Sequence, residues 1–191
     1  DMASMHGYPA SLQQLLGKEY WVKNFGVSGR TMLNKGDRPY MKEMAWRDAL
    51  AFQPDIVIIK LGTNDSKPQN WQHGAEFKQD LVQMITTLNP ELAQLPKNKK
   101  KRAKALAEVK TQIFLCTPIP AFKSTWNIND SVIVNGVIPV QQEVAKEYGL
   151  QVIDLHTLFA NDGDKMVADG IHPNADGARR MAEIIVDALK D

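Results

Sequence analysis

Short apolar runs alternate with segments of helical periodicity along the chain, and this alternation limits the possible folds more than any other feature. The run DIVIIKLG at residues 55–62 shows no alternation of polar and apolar residues, which is typical of a strand buried on both faces. Strands are predicted at residues 20–27, 55–62, 111–118 and 150–155, and helices at residues 8–17, 39–52, 71–88, 131–149 and 174–190. Strands separated by helices of this length predict right-handed crossovers and a three-layer α/β/α sandwich around a parallel sheet.

Charge and composition limit the kinds of partner. With 191 residues the chain fits one domain, and 23 Lys and Arg against 22 Asp and Glu give a net charge of +1. This balance favours no nucleic-acid partner and no membrane partner, so a small molecule or a neutral surface is expected. The basic run at residues 97–102 has no interleaved aromatic residues and is predicted to be a solvated helical insertion. Cys116 lies in an apolar run and is predicted to be a buried, small apolar side chain.

Two predicted strands end in turns that carry polar groups. LGTND, residues 61–65, places Asn64 where its amide could donate to an anionic oxygen, although an Asx turn explains the same residues. NFGVSGRT, residues 24–31, places Gly29 where a bare backbone N–H could meet a ligand oxygen, although the motif alone is only a turn. Each stretch by itself is therefore ambiguous.

Asp169 and His172 stand three residues apart in DGIHPN, immediately before the last predicted helix. Pro173 favours an extended His172, and Asn174 supplies a helix N-cap. A loop carboxylate at this spacing can curl back to Nδ1 of His172 and leave Nε2 free to take a proton. This arrangement predicts the base and orienting acid of a catalytic triad, with a capping turn as the alternative.

The loop PAFKSTWNIND follows the predicted strand at residues 111–118 and carries Phe122 and Trp126. Loops at the carboxyl ends of parallel strands often wall a ligand site. Phe122 and Trp126 are therefore candidates for a substrate wall, and capping of the core is the alternative. No HExxH pattern or Cys/His cluster is present, so no metal and no cofactor are expected.

Together, NFGVSGRT, LGTND and DGIHPN resemble blocks II, III and V of the SGNH (GDSL-type) hydrolase superfamily. The segments KLGTNDSKPQNW and DSVIVN are similar to segments of bacterial carbohydrate or sialate O-acetylesterases. The resemblance implies a flavodoxin-like parallel sheet, with His172 as general base and Asp169 as its orienter. It also implies an oxyanion hole formed by the Gly29 N–H and the Asn64 side chain. A secreted or periplasmic location is favoured by this resemblance alone.

Block I of that family, a GDS serine after the first strand, is absent from residues 1–191. Ser4 is a poor substitute, because no apolar strand precedes it. Loss of a central strand would leave two neighbours unpaired, so the first strand and its serine are expected upstream of residue 1. Residues 1–191 would then form a single hydrolase domain that lacks its N-terminal strand and nucleophile. Ser28 is an alternative nucleophile, but GVSGR does not match GxSxG.

The resulting hypothesis is a serine esterase that removes a short acyl group, most simply acetyl, from a carbohydrate. The alternative is a non-catalytic carbohydrate-binding domain on a hydrolase scaffold without its serine.

Overall fold

A computed structural model describes residues 7–190. The strands are β1 (Ile56–Ile59), β2 (Gln112–Cys116) and β3 (Gln151–Ile153). The α-helices are α1 (Tyr8–Leu16), α2 (Met44–Phe52), α3 (Pro68–Trp71), α4 (Phe77–Leu88), α5 (Lys99–Ala107), α6 (Asp130–Val132), α7 (Ile138–Tyr148), α8 (Leu155–Leu158) and α9 (Ala175–Lys190). A π-helical turn, Ile133–Val137, joins α6 to α7, and short 3₁₀ turns lie at Gly17–Glu19, Tyr40–Lys42, Asn64–Ser66, Gly74–Glu76, Pro90–Gln94, Thr125–Asn127 and Gly163–Lys165.

The sheet is parallel and three-stranded, in the order β1-β2-β3. One face packs on a core that includes residues of α2, α4 and α7. The other face packs on a core that includes residues of α1 and α9, and Cys116 is fully buried in it. Two helical layers around a parallel sheet confirm the predicted α/β/α architecture. The buried Cys116 matches its predicted role, and burial raises its thiol pKa to about 12.

The strand predicted at residues 20–27 is wrong, because this segment forms no β-ladder in the described chain. Its first residue, Tyr20, has an extended backbone with φ −117° and ψ 143°. An extended segment becomes a strand only when a neighbouring strand accepts and donates its backbone hydrogen bonds. The extended backbone that the apolar pattern indicates is present at Tyr20, but no strand within residues 7–190 pairs with this segment.

A groove of about 730 Å³, hereafter the open-edge groove, runs along the unpaired side of β1. Its walls include Leu12 of α1, Val22 of the extended segment, Trp46 of α2 and the edge of β1. Side chains from both helical layers thus meet beside a strand that, among the described residues, pairs on one side only. Ile56, Val57 and Ile58 are only partly buried for the same reason.

The basic segment forms helix α5, as predicted, and it is largely exposed. Its N-cap is Asn98, whose side chain accepts the Lys101 N–H at 3.1 Å. Within the described range, none of the helices combines the length and the apolar character that a membrane span requires.

Candidate active site

The loop before α9 holds Asp169 and His172 in direct contact. Asp169 Oδ2 lies 2.9 Å from His172 Nδ1, while Oδ1 accepts the backbone N–H groups of Ile171 at 2.7 Å and His172 at 2.8 Å. The carboxylate therefore bonds both the ring and the backbone of the same histidine. With Nδ1 occupied, Nε2 is the ring nitrogen free to exchange a proton.

Neighbouring backbone contacts fix this loop. The His172 carbonyl accepts the Val167 N–H at 2.8 Å, and Asn174 Oδ1 caps α9 by accepting the Gly177 N–H at 2.9 Å. The N-cap predicted for Asn174 is thus confirmed. His172 thus lies three residues before α9, and 53% of its side-chain surface remains exposed.

The pKa of Asp169 lies below its usual value of 3.8. Burial alone would raise it, but hydrogen bonds from the backbone and ring of His172 and from the Ile171 N–H outweigh that effect. The carboxylate is therefore charged at neutral pH. A charged Asp169 can stabilise the imidazolium that forms when His172 takes a proton.

Gly29 occupies the turn after the extended segment and has a φ of +79°, a conformation that side chains rarely adopt. None of the described residues accepts a hydrogen bond from its N–H group. Asn64 begins the 3₁₀ turn after β1, and its carbonyl accepts the Asn70 side-chain amide at 2.8 Å. Both predicted donors therefore lie in ordered turns at or near the sheet edge.

A cleft of about 440 Å³, hereafter the His172 cleft, brings the predicted groups together. Gly29, Asn64, His172 and Trp126 all line it. Three segments that are far apart in the sequence thus line one site with a glycine, an amide side chain and an imidazole. This set can hold an oxyanion and transfer a proton.

Asp65 is the residue that the sequence analysis missed. It is fully buried, and its carboxylate accepts the backbone N–H groups of Met32 at 3.0 Å and Leu33 at 2.8 Å. It thereby ties the turn of Gly29 to the turn of Asn64. The only signal in the sequence was an acidic residue next to Asn64 after an apolar strand, which fits an exposed Asx turn equally well.

The two aromatic candidates occupy different positions. Trp126 lines the His172 cleft, with its ring centroid 5.5 Å from that of His172 and an interplanar angle of 68°. Phe122 is not among the lining residues and lies against Gly163 instead. Of the two predicted wall residues, the structure thus brings Trp126 alone to the candidate site.

The alternative nucleophiles also occupy different positions. Ser28 lines the His172 cleft next to Gly29, and its carbonyl accepts a hydrogen bond from Arg30 Nη1 at 2.8 Å. Ser4 lies outside the described residues. Between residues 7 and 190, no group of three or more His, Cys, Asp or Glu side chains could hold a metal ion.

Comparison with known proteins identifies the family. The sequence matches the GDSL-like lipase/acylhydrolase family over residues 2–180. It is 69% identical over 191 residues to an acetylxylan esterase of Xylanibacter ruminicola, a match that covers all of this chain and 40% of that protein. It is 24% identical over 142 residues to a multidomain esterase of Ruminococcus flavefaciens, covering 73% of this chain and 16% of that protein. The chain therefore spans less than half the length of these two relatives.

The fold matches a solved structure, the acetyl xylan esterase AlAXEase. The TM-score is 0.68 at 19% sequence identity, over 98% of this chain and 94% of that chain. This likeness supports the α/β/α architecture independently of close sequence similarity. Because the family match extends over far more than half of the sequence, this chain belongs to the GDSL-like lipase/acylhydrolase family, as its resemblance to SGNH hydrolases predicted.

Proposed function

We propose that the whole protein is a serine esterase that removes acetyl groups from a carbohydrate. The observation that carries this proposal is the convergence of a carboxylate-bound His172 with Gly29 and Asn64 in one cleft. A base with a fixed tautomer next to two donors that bond no acceptor within residues 7–190 suits acyl transfer, in which a proton moves while an oxyanion forms.

In the proposed reaction, His172 Nε2 takes the proton of a serine hydroxyl as its oxygen attacks the ester carbonyl carbon. The Gly29 N–H and the Asn64 amide stabilise the resulting oxyanion. The C–O bond to the alcohol then breaks, and His172 returns the proton to the leaving alcohol oxygen. Water attacks the acyl-enzyme by the same route, which releases the acid and restores the serine.

The nucleophile is proposed to lie on a strand upstream of residue 1 that fills the open-edge groove. Val27, Lys60 and Leu61 line both this groove and the His172 cleft, so the two spaces adjoin at the carboxyl end of β1. A strand parallel to β1 in the groove would therefore end at the cleft. It would also pair the free edge of β1 and cover apolar surface of both helical layers.

The substrate class rests on the similarity to the acetylxylan esterase of Xylanibacter ruminicola. At 69% identity over the full chain, the same acyl group and a related polysaccharide are the simplest proposal. In this proposal the sugar contacts the loops around the His172 cleft. Assays of both proteins on the same acetylated polysaccharide compare their specificities directly.

The test is acetate release from acetylated xylan by the whole protein. Wild type and Ser28→Ala should release acetate at similar rates, whereas His172→Ala should lose about 10³-fold or more in kcat. If Ser28→Ala lost activity, and wild-type turnover also depended on His172, Ser28 would be the nucleophile. Binding of the polysaccharide without turnover would instead favour the non-catalytic carbohydrate-binding alternative.

A further inference from the structure

The loop that carries Trp126 is fastened to the loop that carries the candidate base. The Phe122 N–H donates to the Gly170 carbonyl at 3.0 Å, and Thr125 Oγ1 donates to the Asp169 carbonyl at 2.7 Å. Gly170 has a φ of +70°, and a Cβ there would approach the Lys123 backbone nitrogen to 3.1 Å. The two loops are therefore close enough to behave as one unit.

Trp126 itself has an unusual backbone. Its φ is 53° and its ψ is 31°, and the next residue, Asn127, has a φ of 61°. Two consecutive non-glycine residues in the left-handed region are unfavourable and persist only where surrounding contacts hold them. Those contacts are present, because the following Ile128 is buried and the Asn129 N–H donates to Ser66 Oγ at 3.0 Å.

This backbone leaves the indole of Trp126 in solvent instead of in the core. Trp126 is 56% exposed, and it meets the His172 ring edge to face across 5.5 Å. Capping of the core, the alternative raised by the sequence, does not account for so exposed a ring. A large, flat apolar surface thus stands open next to the proposed base.

The position beside His172 decides which half of an ester the indole would meet. In the proposed reaction, His172 returns a proton to the leaving alcohol oxygen, so the alcohol lies next to the imidazole. The carbonyl oxygen lies towards Gly29 and Asn64 instead. The indole therefore borders the alcohol half of the substrate.

We propose that Trp126 is the specificity-determining sugar platform of this site, on which the sugar ring that bears the acetyl group stacks. A pyranose ring presents a face of C–H groups, and packing that face on an exposed indole removes apolar surface of both partners from water. This inference rests on the proposed esterase function, and it adds the residue that selects sugar esters over other acetate esters.

The test compares two acetate esters in the whole natural protein. Trp126→Ala should raise KM for an acetylated xylo-oligosaccharide about 10-fold or more, with kcat within threefold. Its kcat/KM for triacetin, whose alcohol contains no ring, should fall much less than its kcat/KM for the oligosaccharide. Trp126→Phe should recover most of the oligosaccharide affinity, because it keeps an aromatic face. Thermal unfolding of each variant checks that the fold is intact.

Three outcomes would overturn the platform. An equal loss of kcat/KM on both esters would show that Trp126 acts by positioning His172. If Trp126→Ala cleaved esters of longer acyl chains faster than wild type and kept the same KM for the oligosaccharide, the indole would lie on the acyl side of the substrate. The third outcome comes from calorimetry with the deacetylated oligosaccharide, whose binding needs no turnover. Equal Kd values for wild type and Trp126→Ala would reject the platform even if the esterase function fails.

Discussion

Asp169 bonds His172 twice, through Oδ1 to its backbone N–H at 2.8 Å and through Oδ2 to its ring Nδ1 at 2.9 Å. One carboxylate thus sets both the position of the histidine backbone and the orientation of its ring. The two functions can be separated by mutation, because an amide can keep the contact with the backbone N–H and reverse the direction of the hydrogen bond to Nδ1.

Asp169→Asn should retain the loop but present an N–H to Nδ1 of His172. The ring would then carry its proton on Nε2 and could not accept one from serine, so kcat should fall by about 10³–10⁴. Acetate release by the whole protein measures the effect, and circular dichroism checks the fold. A variant with activity within threefold of wild type would remove Asp169 from the mechanism.

Asn64→Ala should remove one oxyanion donor without changing the base. By analogy with other hydrolases, kcat should fall by about 10²–10³. KM should change little if the amide bonds the oxyanion more strongly than the ground-state carbonyl. A large rise in KM with an unchanged kcat would instead make Asn64 a substrate-binding residue.

Asp65 predicts a pH dependence of stability. Burial raises its pKa to about 6, although the N–H groups of Leu33 and Met32 donate to its carboxylate. The folded state then binds more protons than the unfolded state between the usual pKa of 3.8 and this value, so the contribution of Asp65 to stability falls as pH rises through that window. The loss is on the order of 3 kcal/mol.

Urea unfolding of wild type and Asp65→Asn between about pH 4 and pH 7 measures this effect. The free energy of unfolding of wild type, relative to the variant, should decrease as the pH rises to about 6 and then level off. A difference that is constant or grows with pH would show that the Asp65 carboxylate is not destabilised by burial.

The backbone N–H groups of β1 allow a test of whether an upstream strand pairs with its edge, because those on the β2 side serve as an internal control. The Asp55 carbonyl accepts the Gln112 N–H of β2 at 2.8 Å. Because peptide groups alternate sides along a strand, the N–H groups of Ile56 and Ile58 point towards the open-edge groove, and those of Val57 and Ile59 point towards β2. If a strand fills the groove in the whole protein, hydrogen exchange at Ile56 and Ile58 should be as slow as at Val57 and Ile59. Fast exchange at the first pair alone would mean that the groove stays open.

The layout of the fold could largely be predicted from the sequence, because strand and helix patterns are local. The segment at residues 20–27 shows where this reasoning stops. Its apolar pattern indicates an extended backbone, but a strand also requires a partner, and pairing is a property of the assembled sheet.

The candidate site was predictable to a similar degree. Asp169 and His172 are close in sequence, so their contact could be expected from spacing. The role of Asp65 depends on a contact with Leu33, 32 residues earlier, and no local pattern indicates it. Phe122 and Trp126 share one loop and one kind of side chain, and only the three-dimensional path of that loop separates them.

Labelling of the whole natural protein with a fluorophosphonate probe, followed by peptide mass analysis, tests the central claim most directly, because only an activated serine reacts. We expect one labelled serine, on a peptide upstream of residue 1, and no labelling in His172→Ala. A label on Ser28, or no label in correctly folded protein, would contradict the proposal that an upstream strand brings a nucleophile to His172.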